Sequence, residues 1–219
     1  MKQAWDLGCN YFDTAELYGY GNAEKVMGNC FKKLGWERKD FVLSTKIWKV
    51  GDGVNDGFLS RKHVIEGING CLKRLQMDYV DVVFASRPDL QTPMEETCRT
   101  FDWIIRNNKS FYWGTSMWSP ADIMEANECC ERLGLIKPVI EQCEYSMLIR
   151  NNVEFQLPFL FDKYGMGTTI WSPLAGGYLT GKYNDNLEPE GARYKESEEK
   201  MPDCKYFSNS FKFSFTKSA

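Results

Sequence analysis

Three residues in the first quarter of the chain have side chains suited to moving a proton: Asp13, Tyr18 and Lys46. They occur in the stretches Asn10-Tyr11-Phe12-Asp13-Thr14-Ala15-Glu16-Leu17-Tyr18-Gly19 and Ser44-Thr45-Lys46. Tyr11-Phe12 reads as a short buried strand, with Asp13 where it ends and Tyr18 in the Gly-containing loop beyond. Residues 41–45 read as a second strand, with Lys46 at its carboxyl end. At the ends of neighbouring parallel strands, an acid, a phenol and an ammonium would converge on one spot. A phenol with a pKa near ~10 is a poor acid at neutral pH, and a close cation lowers that value. On spacing alone the plainer reading is favoured: a structural Asp13–Lys46 ion pair, with Tyr18 a loop aromatic.

The elements that must position these groups follow from hydrophobic period and capping signals. A helix is predicted over 23–33, capped by Asn22 and stopped by Gly35. Ser60 caps a second, whose apolar residues Val64, Ile65, Ile68, Cys71, Leu72 and Leu75 share one face. Thr92-Pro93-Met94-Glu95 reads as a capping box with proline at the first helical position, opening a helix to about Arg106. Ser119-Pro120-Ala121-Asp122 repeats that signature, and a further helix is predicted over 156–164, ended by Gly165. Between the helices lie apolar, β-branched runs beginning near 80, 111, 139 and 167, at intervals of 31, 28 and 28 residues. That interval is close to one βα unit, and the alternation predicts a parallel sheet with helices outside. A barrel is favoured over a doubly wound sheet. No strand is followed by Gly-x-Gly-x-x-Gly, and the reactive residues recur at several strand ends instead of at one switch point. Six strands are found where an eight-stranded barrel needs eight.

Composition limits the function classes. In 219 residues the net charge is −3, with no dense basic block, so nucleic acid is not a favoured partner. No apolar run approaches membrane-spanning length and the N-terminus lacks a signal core, which predicts a cytoplasmic protein. The eight cysteines form no Cys-x-x-Cys pair and His63 is the one histidine, so no metal site is expected. Cys71 and Cys98 fall on apolar helix positions, where an inert buried thiol is the default; the adjacent Cys129-Cys130 is a weak redox signal. Gly176 through Lys182 reads G-x-x-x-x-G-K, but Tyr183 stands where a phosphate-binding loop needs Ser or Thr, so a nucleotide hydrolase is rejected.

Asp-Thr-Ala-Glu-x-Tyr followed by a strand ending Thr-Lys resembles the aldo-keto reductases, and among them the beta subunits of voltage-gated potassium channels. Leu59-Ser60-Arg61-Lys62-His63, Tyr79-Val80-Asp81-Val82-Val83-Phe84-Ala85, Pro93-Met94-Glu95-Glu96-Thr97, Tyr112-Trp113-Gly114-Thr115-Ser116 and Trp171-Ser172-Pro173-Leu174-Ala175 match that branch in order. The likeness runs from about Gly8 to about Tyr183. It implies an α/β fold, an incomplete (β/α)8 TIM barrel over 1–187 lacking the first strand and the segments after the seventh. Residues 188–219 then read as a divergent, poorly ordered tail, as an incomplete or mis-joined gene product would carry.

The resemblance implies NADPH-dependent reduction of aldehydes or ketones by hydride transfer. Tyr18 matches the proton donor, Lys46 the cation beside it and Asp13 the carboxylate that holds the lysine. Ser86 stands where most of the family has histidine and the channel branch asparagine, so activity is expected to be slow. Ser116 and Gln142 match the pair that binds the nicotinamide carboxamide, although Met117 replaces the family's arginine. Trp171 matches the aromatic stacked on the ring, while Ser172, Leu174, Gly176, Gly177 and Lys182 match the pyrophosphate loop. The segment that reads the 2′-phosphate lies beyond this likeness. Two alternatives stand beside a reductase: a catalytically weak, cofactor-binding regulatory subunit docked on a channel's cytoplasmic domain, peripheral to the membrane, or a non-functional fragment. A homo-tetramer is implied by the resemblance alone.

Overall fold

The computed structural model describes residues 1–183, and the tail expected over 188–219 lies outside the described residues. Strands and helices alternate: α1 (Lys2–Asp6), β1 (Tyr11–Asp13), α2 (Asn22–Leu34), β2 (Val42–Ile47), α3 (Arg61–Leu75), β3 (Val80–Ser86), α4 (Met94–Arg106), β4 (Ser110–Ser116), α5 (Pro120–Leu133), β5 (Ile140–Glu144), α6 (Pro158–Tyr164) and β6 (Gly167–Trp171). The six strands form one sheet in the order β1-β2-β3-β4-β5-β6. Each defined pairing is parallel. A doubly wound sheet would reverse its order partway; this one never does, so the architecture is an incomplete (β/α)8 barrel.

The chain divides into two compact units, Met1–Cys143 with Asn151–Ile170, and Glu144–Arg150 with Trp171–Ala219. In the first, each strand sends alternate side chains to the helices and to the opposite, inner face. Trp113 of β4 stacks on Phe101 of α4 with ring centroids 5.0 Å apart, so Tyr112, Gly114 and Ser116 point inward. Register then assigns the inner face of the neighbours: Ser116 sits opposite Ser86 and Gln142, and Phe84 opposite Lys46. The helix side is packed with Leu43, Val83, Ile68, Leu75, Phe101, Ile104 and Ile123, all fully buried. At the β1 end, Trp5 stacks on Trp36 at 4.2 Å, Phe12 packs on Trp36, and Phe31 stacks on Phe41 at 4.3 Å. This cluster ties α1, β1 and α2 together.

Several local expectations are corrected. Gly21, in the left-handed region at φ 80°, caps α2, and Asn22 is its first residue. Thr92 caps nothing: its hydroxyl donates to Asp89 at 2.6 Å, and Pro93 occupies the N-cap of α4 without a side-chain bond. The predicted helix over 156–164 begins at Pro158, after a π-turn over Asn152–Gln156. Proline suits that first helical position because its missing N–H would be unpaired there anyway. Ser60 and the Ser119–Asp122 capping box act as predicted. Cys71 and Cys98 are fully buried, and all seven described cysteines are free. Cys130 interacts with Cys98 of α4, not with its sequence neighbour; that contact raises the Cys98 pKa and lowers that of Cys130.

Candidate active site

β1 and β2 build the charged centre. Their pairing runs past the end of β1: the Thr14 amide donates to the Ser44 carbonyl at 3.0 Å, and the Glu16 amide to the Lys46 carbonyl at 3.2 Å. This extension carries the chain to Tyr18 directly above β2. Lys46 lies inside β2, one residue before its end, and not beyond a strand closing at 45. Its side chain points inward and is 5% exposed. Its ammonium donates to Asp13 Oδ2 and to the Thr14 carbonyl at 2.8 Å, and lies 5.1 Å from the centroid of the Tyr18 ring. Tyr18 is 44% exposed, and its hydroxyl makes no hydrogen bond among the described residues. The three residues expected to converge do so.

Asp13 is held on its other oxygen as well. Ser44 donates to Asp13 Oδ1, and Tyr11 donates to Ser44 at 3.0 Å. Burial pushes the Tyr11 pKa up to about 12, with the Ser44 bond pulling against it, so the phenol stays protonated as the first donor of this chain. Gln142 reaches across from β5: its amide nitrogen donates to Asp13 Oδ1 at 3.4 Å and to Thr169 at 3.2 Å. Tyr11 and Ser44 were read only as strand residues. The signal available was period two, which puts Tyr11 with Asp13 and Ser44 with Lys46 on one face.

Ser86 and Ser116 are the last residues of β3 and β4 and lie opposite each other in the register. The same device fixes both. Arg87 and Met117 each adopt the left-handed conformation at φ 63°, so the chain turns sharply after the serine. The Arg87 amide then donates to the Ser116 carbonyl at 2.7 Å, and the Met117 amide to the Gln142 carbonyl at 3.1 Å. Gln142 is the middle residue of β5, not its end. The hydroxyls of Ser86 and Ser116 and the side-chain oxygen of Gln142 make no hydrogen bonds among the described residues, although Ser116 and Gln142 are 3% and 4% exposed. Two nearly buried groups with free acceptor atoms, side by side in the register, suit a planar amide, which offers both a donor and an acceptor.

Buried acids brace this rim from the helix side, and none was picked out from the sequence. Glu16 accepts from the Trp48 amide at 2.6 Å and bonds His63 Nε2 at 2.9 Å, while His63 Nδ1 meets the Asn55 carbonyl at 3.1 Å. Glu24 accepts from Thr45 at 2.7 Å and from Arg74 at 2.6 Å. Glu141 accepts from Thr115 and, at 3.3 Å, from the Trp118 amide. Among the described residues, no group of three or more His, Cys, Asp or Glu is disposed to hold a metal ion.

The remaining candidates belong to the second unit. Trp171 accepts from the Tyr145 amide at 3.4 Å. Ser172 and Ala175 are left-handed, as are Gly176 and Gly177, at φ 65° and 104°. A Cβ on Gly177 would meet the Lys182 side chain at 2.5 Å. The loop from Ser172 to Lys182 is thus a tight backbone turn with an ammonium folded over a glycine. That is a combination able to receive a phosphate.

A family model described as the aldo/keto reductase family matches residues 1–214. The chain is 51% identical over 194 residues to a protein of Oryza sativa subsp. japonica named "Probable voltage-gated potassium channel subunit beta", covering 89% of this chain and 59% of that one. A protein of the same name from Arabidopsis thaliana is 50% identical over 189 residues, covering 86% and 58%. The chain thus spans somewhat over half the length of these relatives. A solved structure assigned as a 2,5-diketo-D-gluconic acid reductase B superposes with a TM-score of 0.68 at 24% identity, over 80% of this chain and 56% of that one. With a family model matched over nearly its whole length and a parallel sheet whose strand ends bring Asp13, Tyr18 and Lys46 together, this chain belongs to the aldo/keto reductase family.

Proposed function

We propose that the protein is an NADPH-dependent reductase of aldehydes or ketones, of the kind related to potassium-channel beta subunits, with residues 1–187 as its barrel portion. The observation that carries this is the Lys46 ammonium, bound by Asp13 and the Thr14 carbonyl and lying under the exposed ring of Tyr18. The free polar atoms of Ser116 and Gln142 fit a nicotinamide carboxamide. In the second unit Trp171 offers a stacking surface, and Ser172, Leu174, Gly176, Gly177 and Lys182 offer a pyrophosphate seat. When bound, the nicotinamide supplies a hydride to the carbonyl carbon. Tyr18 gives its proton to the carbonyl oxygen, and Lys46 stabilises the charge left on the phenol oxygen. Asp13, held by Ser44 and Lys46, fixes the ammonium. Ser86 is the remaining donor at the rim; it is shorter than an imidazole or amide, so its hydrogen bond to the carbonyl oxygen is poorly reached and turnover is slow.

The test is loss of NADPH absorbance with an aromatic aldehyde. Tyr18→Phe should lower the rate by about a hundredfold or more, the usual contribution of a positioned acid. Because that hydroxyl has no partner among the described residues, stability should stay within about 0.5 kcal/mol. Equal rates for the two proteins overturn the enzymatic reading.

The names of the relatives and the serine at position 86 favour a second reading: a cytoplasmic regulatory subunit that binds NADPH with little turnover and docks on the cytoplasmic domain of a potassium channel. Among the described residues no helix is long and apolar enough to cross a membrane. Quenching of tryptophan fluorescence by NADPH without aldehyde turnover, together with a tetramer on gel filtration, supports this reading over the first.

A further inference from the structure

Glu141 is 1% exposed and points away from the inner face, between β4 and the turn that follows it. One oxygen accepts from the Thr115 hydroxyl at 2.5 Å and the other from the Trp118 amide at 3.3 Å. These two donors flank Ser116 and Met117, and Met117 is the left-handed residue that lets the chain leave β4. The carboxyl therefore bridges the two sides of the turn whose apex presents Ser116, while the next residue of its own strand is Gln142. A non-glycine residue in the left-handed region costs energy, and the surroundings must hold it there.

We propose that Glu141 is a positioning residue for the carboxamide subsite: by clasping Thr115 and Trp118 it holds the strained turn that aims Ser116 beside Gln142. This inference rests on the cofactor reading above. A merely structural acid would affect how much protein is folded, but not the affinity of the folded protein for cofactor.

The site also makes the clasp sensitive to pH. β4 presents Thr115 and the turn presents the Met117 and Trp118 amides, none of them titratable. From β6, Thr168 donates to the Glu141 carbonyl at 2.9 Å. The titratable neighbour is the thiol of Cys143, two residues along β5, whose pKa is raised first by burial and also by the Glu141 charge. Among the described residues no lysine or arginine pairs with Glu141. Burial raises its pKa to about 8, with the Thr115 and backbone bonds pulling against that. Below that pH the carboxyl is neutral, able to donate to Thr115 and accept from Trp118. Above it, the carboxylate accepts both bonds more strongly, but its buried charge has no counter-ion among the described residues, a cost relieved when the turn opens to water.

The test is NADPH affinity, read by tryptophan quenching across pH 6 to 9.5 (roughly two units below and one and a half above the Glu141 value), with thermal unfolding recorded alongside. Wild-type affinity should fall as pH rises through about 8. Glu141→Gln keeps a donor and an acceptor but cannot ionise, so it should bind like wild type near neutrality and lose the fall. Glu141→Val lacks the clasp and should bind about tenfold more weakly at every pH, the loss expected for one or two hydrogen bonds. A Gln variant that follows the wild-type pH profile, or a Val variant with wild-type affinity, overturns the inference. If the Val variant does not fold, the Gln profile decides alone. Wild-type protein that binds no NADPH at any pH overturns the cofactor reading and this inference with it, a result distinct from normal binding that Glu141 fails to influence.

Discussion

Gln142 and Asp13 are 129 positions apart in the chain and belong to β5 and β1, yet the Gln142 amide donates to Asp13 Oδ1 at 3.4 Å. Three strands, β2 to β4, separate them in the sheet, so the bond crosses the inner face instead of running along the sheet. It links the candidate cofactor contact to the charged centre. The carboxylate receives Ser44 and Gln142 on one oxygen and Lys46 on the other, which directs its charge toward the ammonium.

The Asp13–Lys46 pair is asymmetric, and its two halves should not be equivalent to mutation. Lys46 is 5% exposed and Asp13 27%. Asp13→Ala leaves a buried ammonium with the Thr14 carbonyl as its remaining bonded acceptor, and should cost about 3 kcal/mol, the lower end for breaking a buried pair. Lys46→Met leaves a partly hydrated carboxylate still bonded by Ser44 and Gln142, and should cost about 1–2 kcal/mol. Urea unfolding of the two variants decides this. Equal losses, or a greater loss for Lys46→Met, would contradict the asymmetry.

Ser86 sets a ceiling on turnover in the reductase reading. Its hydroxyl, without a partner among the described residues, stands at the end of β3, where a longer amide could reach further out of the rim. Ser86→Asn should therefore raise the rate of aldehyde reduction about tenfold or more, part of the roughly 3 kcal/mol attributed to one aimed donor. NADPH affinity should change little. An unchanged rate alongside normal cofactor binding would mean that this strand end does not face the reacting carbonyl.

Stability should depend on pH through His63. Burial opposes its protonation, but the hydrogen bond and charge of Glu16 outweigh that, with the Asn55 carbonyl adding to them, and the net pKa is raised. A raised histidine stabilises the fold fully below its unfolded value near ~6.5, and the gain is lost as pH climbs through the higher folded value. Glu141 acts in the same direction, since an acid that is neutral in the fold and charged when unfolded lowers stability as pH rises toward 8. Comparing the unfolding midpoints of wild type and His63→Asn from pH 6 to pH 8 (roughly either side of the unfolded histidine value) isolates the histidine share. The variant should show a shallower slope, and parallel curves would refute the coupling.

Much of this arrangement is legible in the sequence because it rests on local signals. The period of the α3 apolar face, the Ser60 and Ser119 caps and the spacing of βα units are short-range, and each appears where the residues put it. The convergence of Asp13, Tyr18 and Lys46 follows from parallel strands sharing a rim. What the sequence hides is long-range and polar. Glu16, Glu24 and Glu141 look like surface acids until helices pack over them, and their partners lie 20 or more positions away. Thr92 misleads for a related reason: Asp89, three residues earlier, competes for its hydroxyl and wins.

Two helix glycines should respond to the same substitution with opposite signs. Replacing glycine by alanine within a helix ordinarily stabilises by about 1 kcal/mol, because alanine loses less backbone freedom on folding. On α2, a Cβ at Gly28 would lie 2.5 Å from the Leu75 carbonyl oxygen and 2.9 Å from that of Arg74, both backbone atoms at the end of α3. They can yield only if the two helices separate, and overpacking of that kind costs about 1–3 kcal/mol, enough to overturn the propensity gain. On α3, a Cβ at Gly70 would meet only the Arg74 guanidinium at 2.9 Å, a side-chain tip that can give by a few tenths of an ångström while its Nε keeps the bond to Glu24. Gly28→Ala should therefore lower the unfolding free energy by about 1–2 kcal/mol, and Gly70→Ala should leave it unchanged or raise it by up to about 1 kcal/mol. Chemical denaturation of the two variants separates close helix approach from propensity. A stabilised Gly28→Ala would mean that α2 and α3 do not pack as closely as the glycine permits.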